Sequence, residues 1–304
     1  MTTHLFDAHI HFFGRSFFRA LATASPLGGD PDALVARVTS GAQIDVPDAD
    51  PLAHARRWLA ELDDNGVQRV VIFASLPEEV ADVARARTLA PDRLSALSIL
   101  NPVAEGSAER AAALIEQGFR GFLFFPSLHH YSIDEPRIAP VLERLDARGA
   151  LALVHCGVLK IPLRDRFGLP RVYDMRYASP LAVLPAANAF PRIRFIVPHF
   201  GAGLFREALL AGSQCENIYL DTSSSNAWRA SLPSHPSLGE VFERAINVLG
   251  PERILFGSDS STFPRGWRRD IFDAQEAALE AAGARPSARE AILGRNIERL
   301  IDEA

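Results

Sequence analysis

Short unbroken apolar runs recur along the chain, and between them apolar residues return every three or four positions. The runs fall at residues 6–11, 67–73, 94–100, 119–125, 150–155, 193–198, 218–221 and 253–257. Continuous Val/Ile/Leu/Phe runs predict strands buried on both faces, as in a parallel sheet. Helical periodicity follows each of them. Asp50-Pro51 opens one such pattern, with Leu52, Ala55, Trp58, Leu59 and Leu62 on one face and Gly66 past its end. Further helices are predicted near 77–89, 105–117, 135–148, 179–190, 203–211, 239–249, 269–282 and 287–300.

Eight strand-helix units in one chain of 304 residues predict an α/β fold, a closed (β/α)8 TIM barrel forming a single domain over 1–304. An open doubly wound sheet is the alternative. Against it, Gly14 after the first strand stands without the G-x-G-x-x-G spacing of a phosphate-binding turn. Residues 12–50 interrupt the rhythm. They carry Gly14, Pro26, Gly28, Gly29, Pro31, Gly41 and Pro47 and read as a long irregular, lid-like insertion after strand 1.

Composition narrows the function classes. A net charge of −5 with no basic run argues against nucleic acid as a partner. The longest apolar runs, such as Phe122 to Phe125, are far too short to span a bilayer, and no signal-like segment opens the sequence. Two cysteines, Cys156 and Cys215, make no disulfide framework and fit a reducing cytoplasm. A small-molecule substrate is expected. A homodimer is common for such barrels, although no interface is legible.

The polar residues at strand ends carry the chemistry. His9 and His11 are spaced i, i+2 on the first strand, which sets two imidazoles on one face. A barrel of this kind works at the carboxyl ends of its strands. There the chain also places His155 after strand 5, His199 after strand 6, Asp221 after strand 7 and Asp259 after strand 8. Each alone reads as a core, cap or turn residue. Together, four of the nine histidines and one aspartate at one end of the barrel predict a divalent-metal site. Asp221 reads as structural. Cys156 should point away from His155 by strand alternation.

The motifs Asp7-Ala8-His9-Ile10-His11, Gly118-Phe119-Arg120-Gly121, His155, Ile196-Val197-Pro198-His199-Phe200-Gly201-Ala202-Gly203, Arg253-Ile254-Leu255-Phe256-Gly257-Ser258-Asp259 and Gly294-Arg295-Asn296 resemble the amidohydrolase superfamily, in its amidohydrolase-2 branch. That branch includes aminocarboxymuconate-semialdehyde decarboxylase, γ-resorcylate decarboxylase and pyrone-dicarboxylate lactonase. The resemblance implies His9, His11, His155 and Asp259 as ligands of one divalent ion, with His199 beside the activated water. Binuclear relatives bridge two metals with a lysine or glutamate at the end of strand 4. Here that strand ends Phe122-Leu123-Phe124-Phe125, and the only lysine, Lys160, lies after strand 5, so one metal is expected.

Imidazole and carboxylate donors suit zinc first, with manganese, cobalt or nickel as substitutes. Asp259 is expected to take the water's proton, and His199 to hydrogen-bond the water or the developing oxyanion. This predicts a metal-dependent hydrolase of a small, carboxylate-bearing ester, lactone or amide. A non-oxidative decarboxylase of an aromatic or unsaturated acid is the second reading. A catalytically silent small-molecule-binding barrel is the third, weakened because all five positions are filled. Substrate contacts are expected from Arg265, His130, Trp267 and Arg176. The loop arginines Arg164, Arg166 and Arg171 read mainly as solvated.

Overall fold

Eight parallel strands run in sequence order around the protein: β1 (Phe6–His11), β2 (Arg69–Ala74), β3 (Leu94–Ile99), β4 (Gly121–Phe124), β5 (Leu151–Val154), β6 (Arg194–Val197), β7 (Ile218–Asp221) and β8 (Ile254–Leu255). The structure, a computed structural model, describes residues 4–304. Each strand pairs with the next. The two ends of the sheet then meet. The Ala8 amide donates to the Phe256 carbonyl at 2.9 Å, and the His11 amide to the Ser260 carbonyl at 2.8 Å. The sheet thereby closes on itself, and its outer strands present no free edge. This is the expected (β/α)8 barrel.

Alternate residues of the strands divide into two apolar clusters. Val71, Phe73, Leu97, Ile99, Leu123, Leu151, Leu153, Ile196 and Leu255 pack together in the barrel interior. Val70, Ile72, Ala96, Phe122, Phe124, Ala152, Val154, Phe195, Val197 and Leu220 pack under the surrounding helices. The final helix, Asn296–Asp302, adds Ile297, Leu300 and Ile301 to the interior cluster. Asn296 anchors it, with Nδ2 donating to the Pro251 and Ile254 carbonyls, each at 2.8 Å. The helix expected over 287–300 is continuous through Pro286–Glu290, a π-turn at Ala291–Arg295 and Asn296–Asp302. The π-turn contains Gly294, where an added Cβ would lie 2.4 Å from the His4 carbonyl oxygen.

The insertion after β1 is the main departure from expectation. It is not irregular, because it contains two helices, Arg15–Thr23 and Pro31–Ala42. The Gly28-Gly29 pair is only the turn between them. Asp30 then caps the second helix by accepting from the Ala33 amide, with Pro31 at its first position. Phe13, Phe17, Phe18, Leu21, Leu34, Val35 and Val38 form a separate apolar cluster with Phe167 and Leu169 from the β5–β6 connection. Among the described residues no helix is long and apolar enough to cross a membrane.

Candidate metal centre

A register shift in β1 aims the first two histidines. Asp7 pairs with Val70 and Ile10 with Ile72, so three steps on β1 face two on β2. This is a β-bulge. Phe6 and Ala8 face the barrel interior, whereas Ile10 packs under the helices. The extra residue reverses the parity, so His9 and His11 both line the cavity above the interior.

Their Nδ1 atoms are already engaged. His9 Nδ1 donates to Asp221 Oδ2 at 2.6 Å, and His11 Nδ1 lies 2.7 Å from Ser75 Oγ. The free Nε2 atoms converge on Asp259, with Oδ1 3.7 Å from His9 Nε2 and 3.4 Å from His11 Nε2. Ligand atoms of all three residues lie within 4.8 Å of one another. Asp259 is held at a positive φ of 59°, with its amide donating to the His9 carbonyl at 3.0 Å. Burial opposes ionisation of Asp259, but the His11 hydrogen bond and the neighbouring His199 and His9 imidazoles hold its carboxyl well below the usual range.

His199 sits in a tight turn, Pro198–Gly201, and has φ 56°. The turn swings its ring to 5.1 Å from that of His9, centre to centre. His199 Nδ1 lies 3.2 Å from the Ser223 carbonyl oxygen and 2.8 Å from Ser223 Oγ. A carbonyl only accepts, so this contact favours the tautomer with the proton on Nδ1 and the lone pair on Nε2. His155 lies outside the close group of three, with its ring 5.3 Å from that of His199. Its Nδ1 is buried without a hydrogen-bond partner. Burial, then the neighbouring His199 and His9, push its pKa far down, so the ring is neutral and able to donate a lone pair.

Sequence reasoning treated Asp221 as structural, but it holds a candidate ligand. Its Oδ1 also accepts from the Ser223 amide at 2.6 Å. A carboxylate behind a histidine fixes the tautomer and raises the basicity of the outward nitrogen. Burial alone would keep His9 neutral, but the Asp221 charge and hydrogen bond outweigh it and raise the His9 pKa. Gly257 makes room for this pair: an added Cβ would lie 2.8 Å from His9 Cβ and 2.9 Å from Asp221 Oδ1. We expect Asp221→Asn to weaken metal binding by about 10- to 100-fold while the fold is kept. Titration of metal-depleted protein followed by calorimetry checks this, and unchanged affinity would refute the role.

Glu79 was also not anticipated. It is fully buried, and its carboxyl oxygens accept from the amides of Gly14 (3.2 Å), Ser75 (2.9 Å) and Leu76 (3.1 Å). It thereby fixes the residue that holds His11. Burial pushes its pKa up to about 8, against those three bonds.

The centre opens into a cavity of about 1140 Å³. Phe73, Ile99, Leu123 and Leu153 line its floor, Phe13 and Phe17 of the insertion one wall, and Arg164, Arg166 and Arg265 other parts of the lining. Of the expected substrate contacts, only Arg265 lines this space, with Nη2 donating to Ser261 Oγ at 3.0 Å. The other three lie elsewhere. Trp267 is 3% exposed, packs on Phe256 and Phe272, and donates from Nε1 to Asp7 Oδ2 at 2.8 Å. Arg176 is 84% exposed and paired with Asp174. His130 turns outward and donates to the Val172 carbonyl at 2.5 Å. Its neighbour His129 lines the cavity instead.

The donor set fits a divalent ion. Two imidazole nitrogens and one carboxylate oxygen converge, both Nδ1 atoms are engaged from behind, and a third, orphaned histidine lies close by. A parallel barrel carrying such donors at the carboxyl ends of its strands is a (β/α)8 protein with a candidate metal site. The amidohydrolase family model of the amidohydrolase-2 type matches residues 6–302, and the chain belongs to this family. No curated protein matches the chain in sequence.

Among solved structures, the chain resembles 5-carboxyvanillate decarboxylase LigW from Sphingomonas paucimobilis (16% identity, 99% of each chain, TM-score 0.67). It also resembles an amidohydrolase from Burkholderia multivorans solved with zinc bound (16% identity, 98% of this chain and 99% of that one, TM-score 0.61). A third is 4-oxalomesaconate hydratase, LigJ, from Rhodopseudomonas palustris (17% identity, 98% and 96% covered, TM-score 0.60). These likenesses establish a shared fold.

Proposed function

We propose that this protein is a mononuclear metal-dependent hydrolase acting on a small ester, lactone or amide that bears a carboxylate. The carrying observation is the convergence of His9 Nε2, His11 Nε2 and Asp259 Oδ1 at the bottom of a cavity with cationic groups in its lining. His9, His11, His155 and Asp259 would hold the ion, with zinc the best match to the donors. When bound, the ion supplies Lewis acidity and makes water a nucleophile at neutral pH.

The protein's own groups do the rest. Asp259 is ionised at neutral pH, so Oδ1 can accept the proton of the attacking water. His199 Nε2, unprotonated, orients that water by accepting a hydrogen bond. The apolar floor keeps bulk water from the reacting carbonyl. Two buried free thiols fit a reducing compartment such as the cytoplasm.

The floor also favours a second reading on the same residues. A carboxylate pressed against Phe73, Ile99, Leu123 and Leu153 loses hydration, which promotes release of CO2 from an aromatic or unsaturated acid. One experiment tests both. Metal per chain is measured by mass spectrometry, and the protein is incubated with lactones and aromatic acids while CO2 and acid release are followed. About one metal per chain with acid released from a lactone supports hydrolysis. CO2 release selects the second reading, and a metal-free protein inert to every compound sinks both.

A further inference from the structure

Besides His155 Nδ1 at the metal centre, two polar atoms in the cavity lining have no partner. Arg164 Nε and His129 Nδ1 are both buried without a hydrogen bond, and both residues face the cavity. They come from different connections, His129 from the end of the short helix Pro126–His129 after β4 and Arg164 from the helix Pro162–Arg166 after β5. They are close enough for the guanidinium to disfavour a charge on the imidazole. Burial, with His130 and Arg164 adding to it, pushes His129 down to about 4, so it is neutral at pH 7.

The carboxylate nearest in sequence is not available to Arg164. Asp165 is held by Arg171 through two bonds of 2.8 and 2.9 Å. Among the described residues no carboxylate pairs with Arg164. By contrast Arg268, another arginine of the lining, is matched by Asp270 at 2.6 Å. The Tyr173 hydroxyl meets the guanidinium, but Nε stays buried without a partner, which is costly. Such a nitrogen beside a neutral imidazole is suited to an incoming carboxylate, which accepts from both.

We infer that Arg164 and His129 form a docking point for the carboxylate of the substrate, whose apolar body lies over Phe125 and Leu128 while its other end reaches the His9–His11–Asp259 cluster. The inference rests on the proposed function for what happens at the cluster. The docking point itself is tested without turnover.

Binding of benzoate, and of its neutral analogue benzamide, is measured by calorimetry on the purified full chain with its metal content recorded. Benzoate is expected to bind at least about tenfold more tightly than benzamide. Arg164→Gln should remove that preference, Arg164→Lys should keep part of it, and Arg176→Gln, outside the cavity, should leave it. No preference in the unaltered protein overturns the inference, as does a preference that survives Arg164→Gln or is lost equally with Arg176→Gln. The unaltered protein alone can overturn the inference if a variant fails to fold. A benzoate preference carried by Arg164 in a protein without metal would sink the hydrolase reading and leave the docking point standing. Metal with turnover but no preference would do the reverse.

Discussion

Asp259→Asn is expected to lower turnover by about a hundred- to ten-thousandfold, the usual worth of a positioned proton acceptor. Asparagine is the right replacement because the backbone here is left-handed, at φ 59°. Asparagine tolerates that conformation, whereas alanine would add strain unrelated to chemistry. The amide keeps the shape of the carboxylate but loses its negative charge and cannot take up the proton. Oδ1 of Asp259 also faces both Nε2 atoms of the histidine pair, so metal content per chain should fall as well. The check is turnover and bound metal on the same samples, with circular dichroism to confirm the fold. Retention of both turnover and metal would remove Asp259 from the centre and with it the proposed mechanism.

Gly157→Ala should cost on the order of 4 kcal/mol of stability, at the upper end for one substitution. Gly157 follows His155 by two residues and has φ 71°. An added Cβ would lie 2.2 Å from the Gly201 carbonyl oxygen and 2.3 Å from that of Ala202. These are backbone atoms of the turn that carries His199, so they cannot rotate away. The Gly157 and Val158 amides also donate to the Ala178 and Ala202 carbonyls, each at 2.9 Å. The substitution therefore either unfolds the connection or pushes the His155 and His199 segments apart. Denaturant unfolding measures the loss, and a change below about 1 kcal/mol would contradict the packing described here.

How far the site could be read in advance depended on how each residue is placed. β1 and β7 lie where the apolar pattern puts them, and His155 and Asp259 continue the inward parity of their strands. The left-handed turn at His199 and the bulge in β1 leave no mark in hydrophobic periodicity, because both are local backbone choices. Asp221 was legible only as a strand-end acid. Its bond to His9 spans 212 positions, and no local pattern encodes a contact of that reach. His130, Trp267 and Arg176 failed as cavity residues for a related reason. Their positions on loops were correct, but the direction of a loop side chain follows from its partners, here a carbonyl, a buried carboxylate and an aspartate. In the insertion, the same glycines and prolines that suggest an irregular loop are helix punctuation, because Asp30-Pro31 is the start of a helix.

That insertion has its own apolar cluster and supplies Phe13 and Phe17 to the cavity wall, while none of its residues belongs to the close group of three. The insertion therefore shapes one wall of the cavity, while the donors of the centre stand on the barrel itself. Exchanging residues 12–50 would remodel that wall and leave His9, His11 and Asp259 where the barrel strands place them, tied to the insertion chiefly through the Gly14–Glu79 contact.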